Sequence, residues 1–273
     1  MTTSSPKARV EPFDIREFTR TAQGSFRSEL DLTAYETEPL DQATLDILRY
    51  LTRLEAATME HLRNLLVTAT HKDARVTAFL VTWAFEKFWM ADALDGVLEA
   101  NGLARTKTIP EGAPRRSADE VVQRSGPIRR AIAAVGLGAP IVCVHMTTGL
   151  IDEWILRQAY DHVKATTTSE ALRATLTRIQ TIKQRHEAFF ADETDWRLRD
   201  SARAVRQTRA ALLTAVWPIG AVERAAGDRA MFEKYVYGGS DGRERADDIG
   251  HRVAELPGMG NRIGEATATK LLP

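Results

Sequence analysis

Between Phe79 and Leu94 the chain reads Phe-Leu-Val-Thr-Trp-Ala-Phe-Glu-Lys-Phe-Trp-Met-Ala-Asp-Ala-Leu, and this stretch constrains the fold more than any other. Leu80, Trp83, Met90 or Ala91, and Leu94 recur at helical spacing, with Phe85 and Trp89 widening the stripe, so one face of a helix is committed to burial. Lys87 falls on that face. A bare ammonium in a core is costly or gives up its proton, so Lys87 needs a carboxylate partner, a lowered pKa or a route for its stem to water. A one-residue shift of register would turn Glu86 inward in its place.

Three more stretches have the same periodicity, and each carries polar residues on its apolar stripe. Asp41 is placed to cap a helix through Leu45, Leu48, Leu51, Glu55, Met59, Leu62 and Leu66, ending near Thr70. Asp73 caps the second helix, which stops at Asn101-Gly102, so the first two form an antiparallel hairpin. A Pro- and Gly-rich connection over 103–127, with a short helix at Ala118–Arg124, leads to a third helix, Ile141–Lys164, striped by Met146, Leu150, Glu153, Leu156 and Tyr160. After a Ser169 cap the fourth helix is striped by Leu172, Leu176, Ile179, Lys183, His186 and Phe190. Shorter helices follow at Ala202–Trp217, Ala221–Tyr237 and Ala246–Leu256, while residues 1–38, spaced by Pro6, Pro12 and Pro39, read as an extended arm. No stretch alternates as a strand does, so the expected class is all-α, with 39–273 as one domain and a C-terminal helical extension from about residue 200.

Composition narrows the function classes. The 273 residues are 44% hydrophobic, enough for a sizeable core, and the formal net charge is zero, so nothing marks a nucleic-acid or anionic-membrane partner. Cys143 stands alone, which excludes an intramolecular disulfide and a cysteine-rich metal site and fits a reducing compartment. Met1–Val10 lacks the apolar core of a signal peptide and no apolar run approaches the ~20 residues of a membrane helix, so a cytoplasmic protein is expected. Only eight of the 37 basic residues are lysines, yet two of those, Lys87 and Lys183, lie on apolar faces.

Four long helices, a crossover between the second and third, and inward polar residues on each match the placement used by di-metal carboxylate bundles. The Trp83-to-Leu94 segment, Arg185-His186-Glu187-Ala188-Phe189-Phe190, Trp217-Pro218-Ile219-Gly220 and Leu256-Pro257-Gly258 resemble ferritin-like proteins related to acyl-carrier-protein desaturases and other diiron carboxylate oxidases, over roughly residues 40–260. Such relatives tend to show Trp-x-x-Glu-Glu-x-x-His in the second helix. The resemblance implies a ferritin-like four-helix bundle in which Glu55, Glu153 and His186 keep ligand positions while Lys87, Met90 and Lys183 stand where Glu, His and Glu would be. An ammonium cannot ligate a cation and a thioether suits a hard metal poorly, so no diiron centre and no other cofactor is expected; the alternative is iron or manganese on Glu55, Glu153 and His186.

Three functional readings stay open at this level. The first is a metal-independent enzyme handling a small organic or acyl substrate, with Lys87, Lys183, Glu55, Glu153 and His186 as its catalytic cluster through Schiff-base or acid–base chemistry. Trp83, Met90, Met59, Met146 and Phe190 would wall its cavity. The second is a non-catalytic scaffold or partner protein with an ion-paired core, open to homodimerisation through an outer helix face; the third is a metal-dependent oxygenase or oxidase with unusual ligands. Glu86, Asp92, Asp95 and Glu187 read as solvated flanks, and His145 as a neighbour of the stripe.

Overall fold

The computed structural model describes residues 13–105, 138–220 and 226–273. It is all-α, with no strand among the described residues. The described residues form ten α-helices: α1 (Ile15–Arg20), α2 (Ala34–Thr37), α3 (Gln42–Leu66), α4 (Ala74–Ala100), α5 (Pro140–Thr166), α6 (Glu170–Asp200), α7 (Ala202–Thr214), α8 (Ala226–Tyr237), α9 (Gly239–Glu255) and α10 (Asn261–Thr269). No described helix is long and apolar enough to cross a membrane.

Local chemistry sets the ends of the long helices. Asp41 Oδ1 accepts from Thr44 N at 2.9 Å, Asp73 Oδ1 from Val76 N at 3.1 Å and Ser169 Oγ from Leu172 N at 3.2 Å, so α3, α4 and α6 start where a side chain satisfies an otherwise orphaned N–H. Helix α5 starts instead with Pro140, whose missing N–H costs nothing in the first turn. Short connections fold α3 on α4 and α5 on α6, and α4 meets α6 to join the two pairs. The second pair is drawn together at Gly149, where an added Cβ would lie 2.4 Å from Phe190 Cε1. Phe190 in turn stands edge-on to Phe79 and Trp83 of α4, at centroid distances of 4.9 and 5.6 Å.

Several expectations need correcting at the periphery. The described part of the arm is not extended: it forms α1 and α2, and Phe18 stacks on Phe79 at 5.2 Å. Helix α7 ends at Thr214 rather than Trp217, and α9 begins at Gly239, seven residues before Ala246. A tenth helix, Asn261–Thr269, follows Pro257-Gly258; it packs on α9 so closely that a Cβ on Gly264 would lie 2.2 Å from Gly250 O. The expected short helix at Ala118–Arg124 and the start of the one at Ala221 lie outside the described residues.

Candidate functional site

Each long helix contributes one member of a buried charge cluster. Glu55 comes from α3, Lys87 from α4, Glu153 from α5 and Lys183 from α6, and all four are between 0 and 4% exposed. Lys183 Nζ bridges the two acids, at 3.1 Å from Glu55 Oε1 and 2.8 Å from Glu153 Oε2. Lys87 Nζ lies 3.0 Å from Glu55 Oε2 and 3.8 Å from Glu153 Oε1. Two neutral donors complete the set: Tyr160 OH donates to Glu55 Oε1 at 2.9 Å and Trp83 Nε1 to Glu153 Oε1 at 3.0 Å. The Lys87 ammonium also sits 4.9 Å from the Trp83 ring centre, within cation–π range.

The electrostatics follow from closure of this quartet. Burial pushes the Glu55 and Glu153 carboxyls up, but the two lysines outweigh it and hold both below the ordinary carboxylate range. Burial pulls Lys87 down, and Glu55 and Glu153 outweigh that too, so its ammonium is held more firmly than a free lysine's. The lowered pKa that a Schiff-base nucleophile requires is therefore corrected for Lys87: it is raised.

His186 joins the cluster from the side. Its Nε2 meets Glu86 Oε2 at 2.6 Å, and because a carboxylate only accepts, Nε2 carries the proton. Its Nδ1 lies 3.8 Å from Glu153 Oε1 and has no hydrogen-bond partner among the described residues. Glu86 is 1% exposed, accepts from Gln23 N at 2.8 Å and lies 3.7 Å from Arg185. The solvated flank expected for Glu86 is thus corrected, and so is that for Asp95, which is 6% exposed. Both Glu86 and Lys87 turn inward, because α4 is covered around more than one face and two successive positions, about 100° apart, both fit under that cover.

Beside the quartet is a cavity of about 30 Å³, lined by Leu54, Thr58, His61, Trp83, Lys87 and Asp152 and closed by Leu156, Ala57, Ile219 and Gly220. This is room for a water or a small polar group. Asp152, 4% exposed, accepts from Ile219 N at 2.7 Å; burial pushes its carboxyl up to about 7, with Lys87 the strongest pull in the other direction. Burial and then Lys87 lower His61 to about 4, and burial and then His61 lower His145 to about 4. His145 Nδ1 pairs with Thr70 Oγ1 at 2.8 Å.

Of the expected cavity wall, Trp83 alone lines this space. Met90, Met146 and Phe190 are core residues 0 to 1% exposed, and Met59 is corrected outright: it is 47% exposed on the outer surface. Asp152, His61 and Thr58 did not stand out in the sequence, though Asp152 has one signal there, an acid next to Glu153 inside the apolar run Leu150–Leu156.

The cluster does not suit a di-metal centre. In a carboxylate bundle the cations lie between acids from facing helices; here the Lys87 and Lys183 ammonium groups occupy that place and already neutralise Glu55 and Glu153. Comparison with known protein families, with curated proteins and with solved structures finds no significant match for the chain.

Proposed function

We propose that the chain is a ferritin-like four-helix bundle whose di-metal positions are taken over by the Lys87–Glu55–Lys183–Glu153 quartet, and that it acts as a metal-independent acid–base enzyme on a small carbonyl compound. The observation that carries this reading is the sharing of Lys87 between the quartet and the cavity that also holds Asp152. A fixed ammonium beside a carboxyl that titrates near neutrality is a pairing suited to proton transfer next to a carbonyl. Asp152 takes a proton from the carbon beside the carbonyl, the Lys87 ammonium hydrogen-bonds to the oxygen on which charge develops, and Asp152 returns the proton in the reverse step. A space of about 30 Å³ admits the small end of such a molecule, which favours the small-organic over the acyl-chain half of the expectation.

The test is exchange of carbon-bound hydrogen for solvent deuterium in a panel of small ketones and aldehydes, followed by NMR. The expected result is exchange above background with the wild type that is lost in Asp152→Asn while the circular dichroism stays unchanged. Background exchange throughout the panel would overturn the reading.

The mutual saturation of the quartet favours a second reading, a non-catalytic scaffold with an ion-paired core. Buried ion pairs rarely stabilise more than apolar residues of the same shape, so this role alone accounts poorly for four buried charges. Background exchange with the wild type, together with a fold retained when all four are replaced with Met and Gln, would favour the scaffold.

A further inference from the structure

Three titratable side chains line the cavity, and the acid–base chemistry above uses only Lys87 and Asp152; the third is His61. It comes from α3, six residues after Glu55, and is partly exposed, whereas Lys87 and Asp152 are 2 and 4% exposed, so of the three it alone reaches solvent. Its ring stands edge-on to Trp83, another wall residue, at a centroid distance of 6.5 Å. Neither ring nitrogen has a hydrogen bond among the described residues, whereas His145 pairs with Thr70 and His186 with Glu86. Polar groups in a packed wall ordinarily find partners, so an imidazole left open at a cavity points to a ligand. Burial and then Lys87 lower His61 to about 4, and the neutral ring has one N–H to give and one lone pair to receive.

We propose that His61 is a further catalytic residue of this site and sets its substrate class: a small carbonyl compound with a hydroxyl on the neighbouring carbon, which the site isomerises. This role rests on the acid–base reading above. Asp152 takes the proton from the carbon that bears the hydroxyl; the C–H electron pair becomes the double bond of an enediol, and the carbonyl pair moves to the oxygen held by the Lys87 ammonium. The His61 N–H protonates that oxygen, and the same nitrogen takes the proton of the neighbouring hydroxyl as its oxygen becomes the new carbonyl. Asp152 then delivers its proton to the former carbonyl carbon. One carbon is oxidised and its neighbour reduced, so the molecule as a whole gains and loses no electrons. A ketone without the hydroxyl needs only Lys87 and Asp152 and leaves His61 no proton to move.

Proton NMR of glyceraldehyde with the full chain in buffered D2O reads both steps on one sample, as deuterium gained at its hydroxyl-bearing CH and as dihydroxyacetone formed. The wild type is expected to do both above background. In His61→Gln, and in the smaller His61→Asn, the ratio of dihydroxyacetone formed to deuterium gained should fall about a hundredfold, the loss typical of one acid–base group. Partial unfolding lowers both rates together, so a merely structural His61 would not move the ratio. Deuteration by the wild type without dihydroxyacetone, or a ratio unchanged in both variants, would overturn the role of His61 and leave the acid–base reading standing. A wild type that does neither would overturn the two together.

Discussion

Glu86 and His186 meet at 2.6 Å across the α4–α6 contact, both fully out of solvent, and this pair links the charge quartet to the N-terminal arm. On one side His186 presents Nδ1 to Glu153 at 3.8 Å. On the other, Glu86 accepts the Gln23 amide, while Arg185, next to His186 in sequence, donates to Phe18 O at 2.9 Å and Thr21 O at 3.1 Å. Phe18 closes the space between them, edge-on to the His186 ring at 6.1 Å.

Removing the Glu86 carboxylate should release the arm. Glu86→Ala deprives the Gln23 amide of its acceptor and leaves His186 Nε2–H buried without a partner, a loss of ~1–3 kcal/mol for a buried donor left unsatisfied. Hydrogen exchange should show the Gln23 amide opening in the variant while amides in the middle of α5 stay protected. Unchanged protection at Gln23 would show that Arg185 holds the arm without Glu86.

Lys87 should be far more sensitive than a surface lysine. Lys87→Met leaves Glu55 and Glu153 with one counter-ion where there were two, and breaking a buried pair typically costs ~3–5 kcal/mol. The double variant Lys87→Met with Glu55→Gln restores the charge balance and should recover much of that loss, since apolar or neutral replacements of a whole pair are often tolerated. Chemical denaturation of both variants checks the ordering. Equal stabilities would mean that Glu55 does not depend on Lys87.

The sequence carried most of the fold and about half of the site. Caps at Asp41, Asp73 and Ser169 and the 3.6-residue stripes located the four long helices because both signals are local. The inward positions of Glu55, Lys87, Glu153, Lys183 and His186 followed from the same stripes. Glu86 was misplaced because one hydrophobic stripe describes a helix covered on one side, and the arm and α6 cover α4 on a second. Asp152 and His61 were missed for a related reason: their cavity depends on Ile219 and Gly220, distant in sequence, and no periodicity reports such a contact. Met59 continues the α3 stripe by spacing, yet it is 47% exposed: four residues on from Glu55 is a turn plus about 40°, and spacing alone does not report where the cover of a helix face ends.

Restoring ligand chemistry should restore cation binding if the quartet stands in a former di-metal site. Lys87→Glu, Met90→His and Lys183→Glu together replace two ammonium groups with carboxylates and supply an imidazole at a buried position one turn from residue 87 on α4. Without metal the triple variant gathers four acids in the core and should be strongly destabilised; with iron or manganese its melting temperature should rise and elemental analysis should show uptake of up to two ions per chain. A folded triple variant that ignores both metals would break the link to carboxylate bundles and leave the acid–base reading standing on its own geometry.

Asp152 makes the alkaline side of the stability curve the informative one. Its carboxyl, ordinarily at 3.8, is pushed up to about 7 in the folded chain by burial, so between these values the folded state holds a proton that the unfolded state has lost. Stability then falls as pH rises from about 4 to about 7, by at most ~4 kcal/mol from this group. His61 and His145 act in the opposite sense: ordinarily at 6.5 and lowered to about 4 by burial, they lose stability as pH falls through that window. The whole-chain curve mixes the two, but the difference between Asp152→Asn and the wild type isolates one. Asparagine still accepts from Ile219 N and cannot ionise, so the advantage of the variant should grow from about pH 4, flatten above about pH 7 and be absent in acid. A difference independent of pH would mean that Asp152 titrates alike in the folded and unfolded chain, and would remove the near-neutral carboxyl from the proposed chemistry.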